Sequence, residues 1–333
     1  MLPRDKARSA FKIFHPHFGN PLPEKNYAED CRVYTPENPK SKFFNLTDAI
    51  FDVHFIAHLG GWWAKMLIIR DVKLAWIASA SFELIEISFR HWLPNFWECW
   101  WDHLFLDLFG CNLLGIILGS ITLKYMGVSR INWIYKKPKG QKLQELESCS
   151  SPLEKALMKM KPDILINYEW EMFSSLKRYF QVVFYIWFIL SVDSMNFFLK
   201  FCLWIEAESD LLLGRVLIWG FAAIATSREF YEFIDDPNCK RVGAFFWTSC
   251  FTLSIEYSCV YKFSQGLFTE PFPWYVILID SLYFSVIIIG GVYAYLNGLH
   301  LHRKKTAYNI IDPELTIEDT QDVLKGNEKK KKH

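Results

Sequence analysis

Seven mostly apolar stretches run through the middle of the chain, separated by polar connections of unequal length. They lie at about Phe55–Ile69, Leu74–Phe89, His103–Leu123, Tyr179–Ile205, Leu211–Thr226, Val242–Tyr261 and Trp274–Leu299. A helix needs roughly 17–25 predominantly apolar residues to cross the hydrocarbon core of a bilayer. The pattern therefore predicts an all-α, polytopic membrane protein of about seven transmembrane helices. The first two stretches are poor spans, because they carry His58 and Lys65, then Glu83 and Glu86. The third carries Asp107 and Asn112, and the last four are ordinary. A polar site near one membrane interface is the reading that accommodates the first three. Residues 1–50 form a polar segment rich in Pro and charge, with no initial apolar run that would read as a signal peptide. Residues 51–300 hold the spans and the polar site, with a long loop at about 127–178. Residues 301–333 form a charged tail, expected to be disordered, that ends in Lys329–Lys332 and His333.

Composition supports a membrane protein over two soluble domains. Hydrophobic residues make up 51% of the 333, charged residues only 22%, and aromatics reach 17%. A soluble core has little room for so many large rings, whereas membrane interfaces favour Trp and Tyr. The mean hydropathy is only +0.08 because the polar flanks dilute the spans. A net charge of +1 excludes a strongly basic nucleic-acid binder. Eight scattered cysteines without a CxxC pair signal neither a zinc site nor a disulfide framework.

Orientation follows from where Lys and Arg collect, since cytoplasmic loops carry the excess. The 127–178 loop holds ten of them, so it is expected on the cytoplasmic side. The connection His91–Trp101 then lies on the far side and contains neither Lys nor Arg. Arg228–Arg241 and Arg303–Lys305 return to the cytoplasm, and Glu206–Asp210 and Lys262–Pro273 do not. This alternation places residues 1–50 on the far side despite their charge. Further spans upstream of the chain would resolve that conflict.

The chemistry concentrates between His58 and Asn112. Glu83 and Glu86 stand at i, i+3 and share one helical face. Asn95, Glu98 and Asp102 stand at i, i+3, i+7, again one face. Asp107 and Asn112 follow at successive steps of five, which on an α-helix drift around the axis but stay near that side. Five carboxylates thus converge at one interface, and each costs about 2.5–3.5 kcal/mol near mid-bilayer. Hydration in a vestibule is one compensation. Pairing with Lys65, Arg70 or Arg90 is another, but three bases cannot neutralise five acids. The third is a hard divalent cation. Calcium takes six to eight oxygen ligands, and the cluster offers oxygen with only Cys99 and Cys111 as soft atoms, which disfavours zinc. His58 lies at the same interface, where a neighbouring carboxylate can hold an imidazole as a general base. His54, one turn earlier, competes for the role, and spacing does not decide between them.

These residues resemble the eukaryotic base-exchange phosphatidylserine synthases, in particular the plant and protist branch. The resemblance rests on His58 with GGWWAK at Gly60–Lys65, FELIE at Phe82–Glu86, FRHWLPNFWECWWD at Phe89–Asp102 and LDLFGCN at Leu106–Asn112. Leu22–Tyr34, PENP at Pro36–Pro39, NFFLK at Asn196–Lys200 and CKRVG at Cys239–Gly243 extend it over about Phe14–Lys304. It implies a transferase of phospholipid biosynthesis in which L-serine replaces ethanolamine or choline on an existing phospholipid, with calcium as cofactor and no nucleotide. Residues 51–300 become its transmembrane catalytic domain. The implied catalytic residues are His58, Glu83, Glu86 and Asp107. Asn95 and Asn112 would bind substrate, and Glu83, Glu98, Asp102 and Asp107 the metal. The expected partners are phosphatidylethanolamine or phosphatidylcholine, L-serine, the membrane and a second copy of the chain as a homodimer, with no nucleic acid.

There are two departures. Family members usually carry several spans upstream, and Met195 stands where the family often has Asn. Direct attack by serine and a phosphatidyl-histidine intermediate remain open alternatives. The DGxxAR signature of synthases that use a CDP-activated lipid is missing from this chain. A carboxylate-lined calcium channel or transporter is the rival class, but it predicts internal repeats that the sequence lacks. Lys330 and Lys331 resemble a dilysine signal for the endoplasmic reticulum, with a solubilising basic tail as the alternative. A cytoplasmic C-terminus would put His58, Glu98 and Asp102 in the lumen, where the sequon Asn45-Leu46-Thr47 is a glycosylation candidate. Arg228 and Tyr231, on the opposite side, are candidate phosphate or regulatory contacts.

Overall fold

The computed structural model describes residues 3–16, 18–21, 28, 30–50, 53–125, 168–206 and 209–311. The described residues are helical, with no strand among them. Two short helices, α1 (Arg4–Phe11) and α2 (Phe44–Ile50), precede α3 (Val53–Ile69) and α4 (Val72–Phe89). A 3-10 turn at Pro94–Phe96 leads to a π-helix, Asp102–Asn112, which continues as α5 (Leu113–Tyr125). Then come α6 (Leu176–Leu203), α7 (Asp210–Asp235), α8 (Ala244–Phe263) and α9 (Trp274–Ile311). Every predicted span falls in a helix. Four helical stretches are long and apolar enough to cross a membrane, namely Asp102–Tyr125, Leu176–Leu203, Asp210–Asp235 and Trp274–Leu301.

Local chemistry starts these helices where the sequence offers a cap. Asp71 accepts from the Leu74 amide at 2.9 Å, and Ser209 accepts from Leu212 at the start of α7. At α8 the cap comes from another helix, since Glu229 of α7 accepts from the Phe246 amide at 3.0 Å.

Helices α3 and α5 touch backbone to backbone. A Cβ at position 115 would stand 2.5 Å from the Leu59 carbonyl oxygen, and one at 119 would stand 2.6 Å from the Met66 Cβ. Gly115 and Gly119 are thus a small-xxx-small pair that lets two apolar helices approach closely where lipid gives no hydrophobic driving force. Trp63 Nε1 donates to Thr122 Oγ1 at 3.0 Å along the same seam. Elsewhere Leu93 and Phe96 are buried with Phe188, Met195 and Phe198 of α6, Trp219 of α7 and Leu253 of α8. This cluster holds down the connection that carries Glu98. It also gives Met195 a core role where the family often has Asn.

Two sets of helix ends are tied together. In one, Arg4 donates to the Gln265 carbonyl at 2.9 Å beyond the end of α8, and Arg8 Nε donates to Cys202 at 3.0 Å in the last turn of α6. Trp92 Nε1 reaches the Glu270 carbonyl at 2.9 Å, and Cys31 is disulfide-bonded to Cys99. Arg4, Arg8 and Cys31 therefore share a side with the connections after α4, α6 and α8. In the other set, Trp170 Nε1 donates to Ile69 at the end of α3, while Glu169 N donates to Tyr231 Oη in α7.

The described residues fall into two compact units, Met1–Trp170 with Ile186–Asp280, and Glu171–Tyr185 with Ser281–His333. Within the second, Tyr179 Oη donates to the Ile287 carbonyl at 2.8 Å and Asn297 Nδ2 to Phe173 at 2.9 Å. The candidate chemistry lies in the first.

Candidate active site

The site is organised by an unusual helix. Asp102–Asn112 winds as a π-helix of eleven residues, in which the repeat is i to i+5 rather than i to i+4. Asp102, Asp107 and Asn112 are spaced by five, so they fall on one stripe. On α-helical winding of 3.6 residues per turn they would drift around the axis while staying near one side, and the π winding draws them closer into line. Gly110 accommodates the winding, since a Cβ there would meet the Phe105 carbonyl oxygen at 2.8 Å.

The α3–α5 seam brings His58 to this stripe. Its Nδ1 lies 3.1 Å from Asn112 Oδ1 and 3.7 Å from Asp107 Oδ1. Asn112 is fully buried and donates from Nδ2 to Glu83 Oε1 at 2.8 Å. A carboxylate only accepts, so that bond fixes the amide with Oδ1 toward His58. Oδ1 in turn needs a donor, which makes His58 Nδ1 the protonated nitrogen and leaves the lone pair on Nε2. Glu83–Asn112–His58 is a relay that orients an imidazole and sets its tautomer.

Behind the relay lies the carboxylate cluster, with an imidazole at its centre. His103 Nδ1 stands 3.2 Å from Glu83 Oε2, 3.5 Å from Glu98 Oε2 and 3.8 Å from Glu86 Oε2. Glu86 Oε2, Glu98 Oε2 and His103 Nε2 are buried with no hydrogen-bond partner. Burial, together with Asp107, Asp102 and Glu83, pushes the Glu98 carboxyl well above the usual carboxylate range. Unpartnered buried carboxylate oxygens are costly unless something satisfies them. The donors converge within 4.8 Å of one another as Glu86, Glu98 and His103, as Glu83, His103 and Asp107, and as His58, Asp107 and Cys111. A hard cation held mostly by carboxylate oxygen fits this set.

The structure brings together His58, Glu83, Glu86, Glu98, Asp107 and Asn112 of the predicted residues. Asp102 opens the π-helix five residues before Asp107 and lies within electrostatic reach of it. Asn95 is half-buried in the 3-10 turn, three residues before Glu98. His103 was not a predicted member; Cys111, noted only as a soft atom beside the acids, donates from Sγ to Asp107 Oδ1 at 3.3 Å. The spacing to Glu98, five residues before His103, is the one signal in the sequence, and it is uninformative without the π winding.

Two of the bases weighed as counter-charges are engaged elsewhere, Lys65 with Asp193 at 3.2 Å and Arg90 with Tyr275. Arg228 pairs with Glu232 at 2.8 Å, and Tyr231 stacks on Tyr168 with ring centroids 4.3 Å apart. Both have structural partners. The reading of the cysteines is corrected by the Cys31–Cys99 bond, whose partners stand 68 residues apart and offer no spacing pattern. Trp101 Nε1 donates to the Cys31 carbonyl at 2.9 Å beside it. Asn45, in the sequon, donates from Nδ2 to the carbonyls of Asp30 at 3.0 Å and Arg32 at 2.9 Å. A glycan on that nitrogen would remove one of the two donors. Lys330, Lys331 and most of the 127–178 loop lie outside the described residues.

Comparison with known sequences bears on the identity. The family described as phosphatidyl serine synthase matches residues 1–264. A rice protein named CDP-diacylglycerol–serine O-phosphatidyltransferase 2 is 37% identical over 304 residues, covering 91% of this chain and 70% of that protein. The Arabidopsis thaliana protein named CDP-diacylglycerol–serine O-phosphatidyltransferase 1 is 38% identical over 82% of this chain and 63% of its own length. Human phosphatidylserine synthase 2 is 34% identical over 81% of this chain and 54% of its own length. The chain thus spans between about half and 70% of the length of these relatives. It belongs to the phosphatidylserine synthase family of phosphatidyltransferases.

Proposed function

We propose that the protein makes phosphatidylserine by calcium-dependent head-group exchange, with L-serine replacing ethanolamine or choline on an existing phospholipid. The observation that carries this reading is the Glu83–Asn112–His58 relay next to a cluster of unpartnered carboxylate oxygens. A serine hydroxyl is a poor nucleophile at neutral pH, so a base must take its proton as the new P–O bond forms. His58 Nε2 is the free lone pair, and Asn112 with Glu83 keeps it so oriented. As the old P–O bond breaks, the same nitrogen returns the proton to the departing ethanolamine or choline oxygen. One phosphodiester replaces another, so no nucleotide is needed. Calcium held by Glu83, Glu98, Asp102 and Asp107, with Glu86 beside them, would supply positive charge against the phosphate oxygens.

The reading includes a place. The Cys31–Cys99 bond lies on the side of Glu98, and disulfides persist in oxidising compartments. This supports a luminal active site in the endoplasmic reticulum, in agreement with the Lys and Arg distribution.

A second reading has its own support, because two plant relatives are named for transfer from CDP-diacylglycerol. The chain lacks the DGxxAR signature of such enzymes, so exchange is preferred. The test is incorporation of labelled L-serine by the purified chain in vesicles of phosphatidylethanolamine or of CDP-diacylglycerol. Exchange predicts labelled product and released ethanolamine from the first vesicles, abolished by calcium chelation. Product from the CDP lipid alone, with release of CMP, would replace this reading by the second.

A further inference from the structure

Arg90 differs from the other paired bases of the first unit. Lys65 has Asp193, Arg215 has Glu256 and Arg228 has Glu232. Arg90 makes no ion pair among the described residues, although five carboxylates stand nearby in sequence. It closes α4 four residues after Glu86 and seven after Glu83, on their helical face and about 6 Å further along the axis. That is the end of α4 from which the chain turns into the connection that carries Glu98. Its guanidinium lies over two rings, 4.8 Å from the Tyr275 centroid and 5.2 Å from that of Trp97. Nε donates to Tyr275 Oη at 3.2 Å. Nη1 and Nη2 have no partner among the described residues, and the side chain is only half-buried. The two rings and the Tyr275 hydroxyl fix the position of the guanidinium.

A fork held this way suits a ligand carboxylate or phosphate, which it grips with two parallel hydrogen bonds. The two sources differ in what they would do to catalysis. Phosphate is common to every exchange the site performs. The α-carboxylate is the one group by which incoming serine differs from ethanolamine. In a site lined with carboxylates, whose proposed calcium serves the phosphate oxygens, a separate fixed cation would favour that group. We propose that Arg90 binds the α-carboxylate of L-serine and so determines the preference for serine over ethanolamine. This rests on the exchange reading above. A site built to hydrogen-bond a substrate group discriminates strongly against the analogue that lacks it.

The test measures labelled L-serine and labelled ethanolamine exchange, side by side, by the full chain in phosphatidylcholine vesicles with calcium. Arg90→Gln should raise the KM for serine by at least about tenfold, as expected for loss of a charge-assisted pair. Ethanolamine exchange should stay within about twofold and serves as the folding control. Arg90→Lys, which keeps the charge but not the fork, should fall between. Equal losses of both reactions would reassign Arg90 to the lipid phosphate or to the fold and overturn the proposal, as would an unchanged serine KM. A wild-type chain that exchanges neither base would count against the exchange reading itself, and is told apart by failing before any substitution is made.

Discussion

Two groups of ionisable side chains lie among the helices of the first unit, and they are finished in opposite ways. Arg215 of α7 gives Nε and Nη2 to the two oxygens of Glu256 in α8, at 2.8 and 2.6 Å. The same guanidinium reaches Asn196 Oδ1 at 3.3 Å and the Val192 carbonyl at 2.9 Å, while Trp219 Nε1 donates to Glu256 Oε1 at 3.2 Å. Every charge there has an opposite charge and further hydrogen bonds. Around His103, by contrast, acids face acids, and buried oxygens of Glu86 and Glu98 have no hydrogen-bond partner. Ionisable groups inside a membrane are expensive and call for a compensating partner. The network at Arg215 contains its own compensation and ties three helices together. The cluster at His103 has no Lys or Arg paired with it among the described residues, and the proposed cation would supply that compensation. Only the second arrangement is poised for chemistry.

Substitutions can break this contrast, beginning with the largest expected effect. His58→Ala should lower serine exchange by about 10²–10⁴-fold, the usual contribution of a general base, while leaving the thermal midpoint of the protein in detergent unchanged. Activity above about a hundredth of wild-type would remove His58 from the mechanism. Arg215→Ala should instead act on stability. It should cost about 2–3 kcal/mol, the lower end for breaking a buried pair because both side chains keep some exposure. Exchange per folded molecule and its calcium requirement should stay as in wild-type, and the apolar double substitution Arg215→Met with Glu256→Leu should recover the midpoint. A shifted calcium requirement in Arg215→Ala would erase the distinction between the two regions.

Cys31→Ser sharpens the comparison from the side of the fold. Opening a bond that closes 68 residues should cost about 2–4 kcal/mol, read as a lowered midpoint that reductant reproduces in wild-type but not in the variant. The smallest effect is expected from Glu98→Gln. Removing one of several carboxylates should raise the calcium needed for half-maximal exchange by about tenfold, the scale of 1.4 kcal/mol, without loss of folded protein. An unchanged calcium requirement would take Glu98 out of the metal site.

The four stretches long and apolar enough to cross a membrane could be read from hydropathy, because a helix in lipid must hide its backbone behind about twenty apolar residues. Glu83 and Glu86 could be paired on one face because α4 is a regular helix. Asp102, Asp107 and Asn112 could be placed near one side but not on one stripe, because that alignment depends on a winding that α-helical periodicity does not describe. His103 was hidden for the same reason, and a single histidine among Trp, Leu and Phe carries no spacing signal. The close approach of α3 and α5, which delivers His58 to Asn112, was written in the sequence as Gly115 and Gly119, a pattern with a known packing consequence. The charge count on residues 1–50 posed a conflict because it treats every Arg as free. In the fold, Arg4 and Arg8 donate to carbonyls at the ends of α8 and α6. Basic side chains commonly satisfy helix C-termini in this way.

The central claim is that the cluster at His103 is completed by a cation whereas the network at Arg215 is complete in itself. Equilibrium calcium binding to the purified full chain in detergent tests it most directly, with wild-type, Glu86→Gln, Glu98→Gln and the Arg215→Met, Glu256→Leu double variant in parallel. Saturable binding should occur in wild-type and in the double variant, and be weakened in both Glu variants. Absence of saturable binding in wild-type, or its loss in the double variant with the Glu variants intact, would contradict the account.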